Sequence, residues 1–364
     1  MRVLQSFYGK LWLAALLGTI MGAGPVSAEP ANDVTWTRVT ENDDSIKIET
    51  DAIEAVIPKK NPKCWMTGIE KQSFLDKATG FREAGDGLCL VDWLMEPGSD
   101  EAWRSQLKEA DRYLFNNEYH GKRAKHLVEG PQLSNSKKAV QPQIIRGKDF
   151  VAVTTTYRYD DAIAPGRKSG SLLTQVFVFP KGKRYFFAMN RINSANDSDA
   201  LFLRGDMPGS LRHERGETFS EIYLSYFGGS NGLRIPSGEF LKAFPPDERF
   251  NYRRDANTIP ERFIRAYHLR DPKTGKQGPW LAGMTLDPSA VYEAWCCQWT
   301  GIVIFIEECG GRPIKAGQSF STAFVVGYFD SIDEMNAVND RYKGHTSLSV
   351  DESEWRLTES PTPH

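Results

Sequence analysis

The chain has 364 residues, 40% hydrophobic and 25% charged, with a formal net charge of -2. That length can enclose a large apolar core without disulfide staples, and the near-neutral balance excludes broad electrostatic attraction to nucleic acid. Five cysteines are too few for a disulfide scaffold, and their odd number leaves one thiol over unless it pairs between molecules.

Residues 1–28 read as a processing segment. Arg2 and Lys10 carry positive charge, the run from Leu11 to Met21 is apolar, and Val26-Ser27-Ala28 supplies small residues for cleavage. The run is short for a membrane span. The mature chain is therefore expected to start near Glu29 and to be periplasmic or secreted, with no integral membrane association and no nucleic-acid partner. The sequence leaves homo-oligomerisation open.

Beyond the leader, V-T-W-T-R-V-T, S-I-K-I-E-T and A-I-E-A-V-I-P alternate as short strands. The charged stretch 97–140 predicts a helical or loop insertion, with a helix over E-A-W-R-S-Q-L-K-E-A at 101–110. Strands resume with F-V-A-V-T-T-T-Y-R-Y and with L-L-T-Q-V-F-V-F-P, followed by the basic turn K-G-K-R at 181–184 and Y-F-F-A-M-N. F-S-E-I-Y-L-S-Y-F, R-F-I-R-A-Y-H-L, A-V-Y-E-A-W-C-C-Q-W, G-I-V-I-F-I-E-E and F-S-T-A-F-V-V-G-Y-F continue the pattern. A helix is expected near the end over D-S-I-D-E-M-N-A-V-N-D-R-Y, started by Asp330 or Ser331. Many amphipathic strands predict an all-β fold, a large antiparallel β-sandwich with a few short helices. Residues 29–349 would form one domain and 350–364 a flexible tail.

No nucleotide-binding glycine loop, H-E-x-x-H, C-x-x-C or G-x-S-x-G is present. The acidic residues are dispersed and make no calcium loop. Neither a cofactor nor a resident metal is expected. The richest polar run is L-F-L-R-G-D-M-P-G-S-L-R-H-E-R at 201–215, read as a Gly/Pro turn between two strands. Such a turn would bring Arg204, Asp206, Arg212 and His213 to one rim, where arginines pair with carboxylates and histidine exchanges protons. In the next strand Tyr223 and Tyr226 point to opposite faces, and either phenol could serve as acid or base. His120, in N-N-E-Y-H-G-K-R, is a further candidate. Arg253, Arg254 and His268 form a second polar region for an acidic sugar. Trp280, Trp295 and Trp299, with Gln298, are candidates for stacking on and hydrogen bonding to a sugar.

The doublet Cys296-Cys297 lies in the strand A-V-Y-E-A-W-C-C-Q-W. Alternation places Cys297 with Trp295 and Trp299, and Cys296 with Ala294 and Gln298. Packing is the expected role. A bridge to Cys309 would require the intervening segment to fold back, because a straight strand separates the sulfurs too far.

The runs P-W-L-A-G-M-T-L-D-P at 279–288, Y-E-A-W-C-C-Q-W, E-E-C-G-G-R-P-I-K-A-G-Q-S-F and A-F-V-V-G-Y-F-D resemble the final sheet of the galactose-mutarotase-like supersandwich. Related sandwiches occur in secreted polysaccharide lyases and in carbohydrate epimerases or hydrolases. The resemblance implies a lyase acting on an acidic, uronate-containing polysaccharide or oligosaccharide. Arg204 or Arg212 would neutralise the carboxylate and the enolate. His213 or Tyr223 would remove the C5 proton, and a neighbouring tyrosine such as Tyr226, or His120, would protonate the leaving oxygen. An epimerase would instead combine His213 or His268 with Glu293 or Glu307. A glycoside hydrolase would need paired carboxylates, and a non-catalytic sandwich would only bind the glycan.

Overall fold

The computed structural model describes residues 36–59, 68–83, 88–89, 93–108, 111, 124–131, 140–213, 218–242, 250–255, 258–299 and 301–359, without the side chains at 89 and 297–299. The predicted processing segment lies outside them. Residues 35–364 cluster as one unit.

Period-two patterning decides the architecture. Ser45–Thr50 and Ile53–Pro58 bury alternate side chains and join a four-stranded antiparallel sheet. The longer, more continuously apolar strands build two larger sheets, as expected for strands covered on both faces. The first has nine strands, in the order Leu233–Pro236, Phe219–Leu224, Phe263–Arg270, Gln277–Thr285, Ser319–Phe329, Tyr185–Asn193, Leu172–Pro180, Phe150–Arg158 and Gln143–Arg146. The second has seven: Asp161–Ala162, Lys125–Gly130, Trp93–Pro97, Ser198–Arg212, Ile302–Ile314, Val291–Trp299 and Tyr252–Arg253. The protein is thus an all-β sandwich with two α-helices among the described residues, Ser237–Phe240 and Ile332–Tyr342.

The two large sheets face one another. Tyr267 stacks on Phe305 across the gap, with centroids 4.3 Å apart, and its hydroxyl donates to the Gly209 carbonyl. A buried ion pair also crosses: Arg265 donates to Glu307 at 2.8 Å and to the Ile306 carbonyl at 2.6 Å. The outer face of the nine-stranded sheet carries its own apolar cluster, including Phe187, Tyr223, Trp280 and Phe329. The Ile332–Tyr342 helix covers part of it through Met335, with Ser331 capping the N-terminus by accepting from the Glu334 amide.

Three expectations are corrected. The run 201–215 does not turn: Ser198–Arg212 is one continuous 15-residue strand. A register shift between Asp206 and Ser210 absorbs the Met-Pro-Gly segment. Bulges tolerate proline and glycine, and the buried Leu203, Met207 and Leu211 keep the strand in the sheet. At 101–110 only a single 3-10 turn, Arg104–Gln106, forms among the described residues, and it buries no side chain. Without a core-facing stripe, local propensity alone cannot sustain a longer helix there. Finally, the segment expected as a flexible tail carries a strand. Trp355–Thr358 pairs with Ser347–Val350, and Trp355 lies on Phe187 with centroids 4.6 Å apart.

Among the described residues no helix is long and apolar enough to cross a membrane.

Candidate functional site

The register of the seven-stranded sheet lines up polar residues from five strands. Trp93 opposes Arg204, Arg204 opposes Glu308, Glu308 opposes Glu293, and Glu293 opposes Arg253. Directly opposed residues share one face, and here it is the face turned away from the other large sheet. Lys125 completes the group from the Lys125–Gly130 strand. Its ammonium donates to Glu293 Oε2 at 3.0 Å and to Glu308 Oε1 at 2.7 Å.

Aromatic rings line this group. Trp295, two residues from Glu293 and therefore on the same face, carries Lys125 Nζ 4.5 Å from its ring centre. Arg204 lies over Trp93 at 4.7 Å and over Trp295 at 5.8 Å. Cation–π contact in a desolvated setting holds these charges where water does not. Lys125, Glu293 and Glu308 are at most 1% exposed, Arg204 is 8% exposed, and Trp93 is half-buried. The Arg253 side chain, at the sheet edge, is 37% exposed and reaches Glu293 at 3.5 Å.

The carboxyls are driven in opposite directions. Burial pushes Glu308 up to about 7; the Glu293 charge adds to this, while Lys125 and Arg204 oppose it. Burial also acts on Glu293, but Lys125, Asn251 and Arg253 outweigh it and hold that carboxyl below its usual range. Glu308 Oε2 is buried and has no hydrogen-bond partner among the described residues. One carboxyl stays ionised and its neighbour titrates near neutrality, the division found in acid–base pairs. Cys309 and Glu307 lie on the opposite face of the same strand, where Glu307 takes Arg265, Thr285 and Cys309 as partners. Adjacent glutamates thus serve two separate environments.

The predicted residues are divided among several places. Arg204, Arg253 and Trp295 belong to the cluster just described, although Trp295 is fully buried and presents no ring face to solvent. Arg212 opposes Ile302, six positions from Glu308 along the partner strand and so about 20 Å away. His213 follows it, its amide donating to Gly301. Arg254 clamps backbone, donating to the carbonyls of Ser289, Gly310 and Gly311. Tyr226 is stacked on Phe263 at 4.1 Å, and burial pushes its phenol well up. Tyr223, His268 and Trp280 lie on the outer face of the nine-stranded sheet. There His268 stacks on Trp280 at 4.3 Å and contacts Glu221 at 3.1 Å, and Tyr223 meets Trp280 edge-on. Tyr223 and Arg204, proposed partners in one elimination, thus occupy different sheets. The backbones of Gln298 and Trp299 pair with Val303 and Ile302; their side chains, and all of His120, lie outside the described residues. Cys296 and Cys309 are buried.

Sequence reading missed Lys125, Glu308 and Trp93. The signal for Glu308 was the Glu307-Glu308 doublet ending an apolar run within a strand, because alternation must then send one carboxylate to each buried face. Nothing local distinguishes Lys125 or Trp93. Among the described residues no group of three or more His, Cys, Asp or Glu is placed to hold a metal ion.

No protein-family model matches the chain, and no curated protein matches it in sequence. Its fold resembles solved carbohydrate-active sandwiches at low identity. A galactose 1-epimerase from Lactobacillus acidophilus is 9% identical over 81% of this chain and 98% of that one, with a TM-score of 0.43. An alpha-mannosidase from Enterococcus faecalis is 9% identical over 81% of this chain and 30% of that one, at 0.41. The heparan sulfate lyase HepC from Pedobacter heparinus is 12% identical over 90% of this chain and 43% of that one, at 0.39. The likeness is one of architecture.

Proposed function

We propose that the protein is an exported carbohydrate-modifying enzyme that moves protons on a sugar bound at the outer face of the seven-stranded sheet, in the manner of an epimerase. The observation that carries this reading is Glu308: a buried carboxyl pushed up to about 7, with Oε2 unpartnered among the described residues and Lys125 on Oε1. A group titrating near neutrality both accepts and returns a proton efficiently.

In the proposed step Glu308 takes the proton of the anomeric hydroxyl while the C1–O5 bond opens. The ring oxygen takes a proton from the Lys125 ammonium. Rotation about C1–C2 and closure return both protons and give the other anomer. Arg204, held over Trp93, supplies fixed positive charge without itself losing a proton. Glu308 and Lys125 are enclosed, so the sugar would reach them when Trp93 and Arg253, which retain exposure, move aside.

A second reading is β-elimination on a uronate-containing glycan. It is favoured by Arg204 and Arg253 in one row, since guanidinium groups match a carboxylate. Here Glu308 would remove the C5 proton, the C4–O bond would break as the C4–C5 double bond forms, and the Lys125 ammonium would protonate the leaving oxygen.

One experiment separates them. Mature protein and Glu308→Gln are given single-anomer sugars, followed by magnetisation-exchange NMR, and acidic glycans, followed by unsaturated-uronate absorbance and product mass. Anomer exchange above the spontaneous rate, lost in the variant, supports the first reading. Unsaturated products without added water support the second. Failure of both would remove the proton-transfer proposal. Export is tested separately, by N-terminal sequencing of protein recovered outside the cytoplasm.

A further inference from the structure

Within the charged row the members differ in one respect: only one combines a full positive charge with substantial exposure. Lys125, Glu293 and Glu308 are enclosed, whereas the Arg253 side chain is 37% exposed on the two-residue edge strand Tyr252–Arg253. Among the described residues that strand ends the seven-stranded sheet.

Its hold on the cluster is also the loosest. Arg253 stands 3.5 Å from Glu293 Oε1, while Lys125 reaches Glu293 Oε2 at 3.0 Å and Glu308 at 2.7 Å. Asn251 donates to the same Glu293 oxygen at 3.3 Å. Glu293 would therefore keep Lys125 and Asn251 if the guanidinium turned outward. The remaining N–H groups of Arg253 form a planar fork suited to two carboxylate oxygens.

We propose that Arg253 is the specificity-determining residue of this site and selects a sugar bearing a carboxylate, a uronate, over its neutral counterpart. The inference rests on the carbohydrate reading given above. It assigns Arg253 to the substrate carboxylate and leaves proton transfer to Glu308. The exchange leaves Glu293 with Lys125 and Asn251, and the exposed guanidinium trades one carboxylate partner for another. A neutral hexose offers only hydroxyls in the same place and forgoes the charge-assisted pair.

The test is calorimetric titration of the mature protein with matched pairs, glucuronate against glucose and galacturonate against galactose. Wild type, Arg253→Gln and Arg253→Lys are compared, with melting curves to confirm folding. At least one uronate is expected to bind wild type tenfold or more tightly than its neutral twin. Arg253→Gln should bring that uronate to the affinity of the neutral sugar, and Arg253→Lys should recover part of the gap. Equal affinities in wild type, parallel weakening of both sugars in Arg253→Gln, or no binding of either sugar would each overturn the proposal. Anomer exchange is measured on the same samples. Selective uronate binding without exchange would leave Arg253 standing and remove the epimerase reading; exchange indifferent to the carboxylate would do the reverse.

Discussion

Lys125 serves Glu293 and Glu308 with a single ammonium, at 3.0 and 2.7 Å, although the two carboxyls come from different strands. All three are at most 1% exposed. One positive charge cannot fully compensate two buried negative ones, so the site favours keeping a proton on the less supported carboxyl. Among the described residues Glu293 has Asn251 and Arg253 as further partners, whereas Glu308 Oε2 has none. Glu308 is accordingly the carboxyl that rises.

Lys125→Met should therefore be strongly destabilising, and more so at alkaline pH. Removing the cation leaves two buried carboxylates facing each other, a loss of about 3–5 kcal/mol for a broken buried pair. At pH 5 both carboxyls can take protons and the loss should shrink. Urea unfolding at pH 5 and pH 8 measures the difference. Equal losses at both values would mean that the ammonium is not the group holding these charges.

Glu308 makes a second pH prediction. Its folded carboxyl titrates at about 7, above the 4.5 of an unperturbed glutamate. Between those values the native state binds a proton that the unfolded chain releases, so this group's contribution falls as pH rises through the window. Below about 4.5 the carboxyl is neutral in both states and carries no penalty; above about 7 the penalty is complete. Glu308→Gln abolishes the titration. Its stability relative to wild type should improve from pH 5 to pH 8, by up to on the order of 3 kcal/mol, while catalysis is lost throughout. Parallel stability curves for the two proteins would contradict the assignment.

Much of the fold was legible because strand alternation is a local property. Ser45–Thr50, Phe150–Arg158 and Leu172–Pro180 are all readable from period-two patterning, and Ser331 announces its helix as a cap. Met207-Pro208-Gly209 misled because the same residues that make turns also make bulges, and only the partner strand decides between them. The candidate site was less legible for a related reason. Arg204, Glu308, Glu293 and Arg253 meet through cross-strand register, which composition does not encode locally. Arg204 and Arg253 drew attention as arginines in polar runs. Lys125 did not, since a lysine before an apolar strand is ordinarily a solvated flank, and its burial follows from neighbours 168 and 183 residues away.

The cross-sheet pair Arg265–Glu307 supplies a third prediction. Arg265 is fully buried, and it reaches both the Glu307 carboxylate and the Ile306 carbonyl on the strand that carries Glu308. Arg265→Met should cost about 3–5 kcal/mol, because Glu307 is left buried without its cation. Adding Glu307→Gln should recover a large part of that loss, since the uncompensated charge is then gone. A double-mutant cycle by chemical denaturation measures the coupling. Additive losses would show that the charges act independently.

The C-terminal hairpin gives the last. Trp355 lies on Phe187 and Leu348 is buried in the same apolar cluster, so the hairpin shields the outer face of the nine-stranded sheet. Trp355 is half-buried, and its replacement by alanine should cost about 2 kcal/mol from lost apolar burial. Arg356 provides the contrast: its side chain is 66% exposed and meets Glu354, itself 46% exposed. Arg356→Ala should change stability by no more than about 0.5 kcal/mol. Ending the chain after Val350 should lower the melting temperature at least as much as Trp355→Ala and raise binding of an apolar dye. A truncated protein that melts with wild type would mean that residues 351–358 contribute nothing to covering this face.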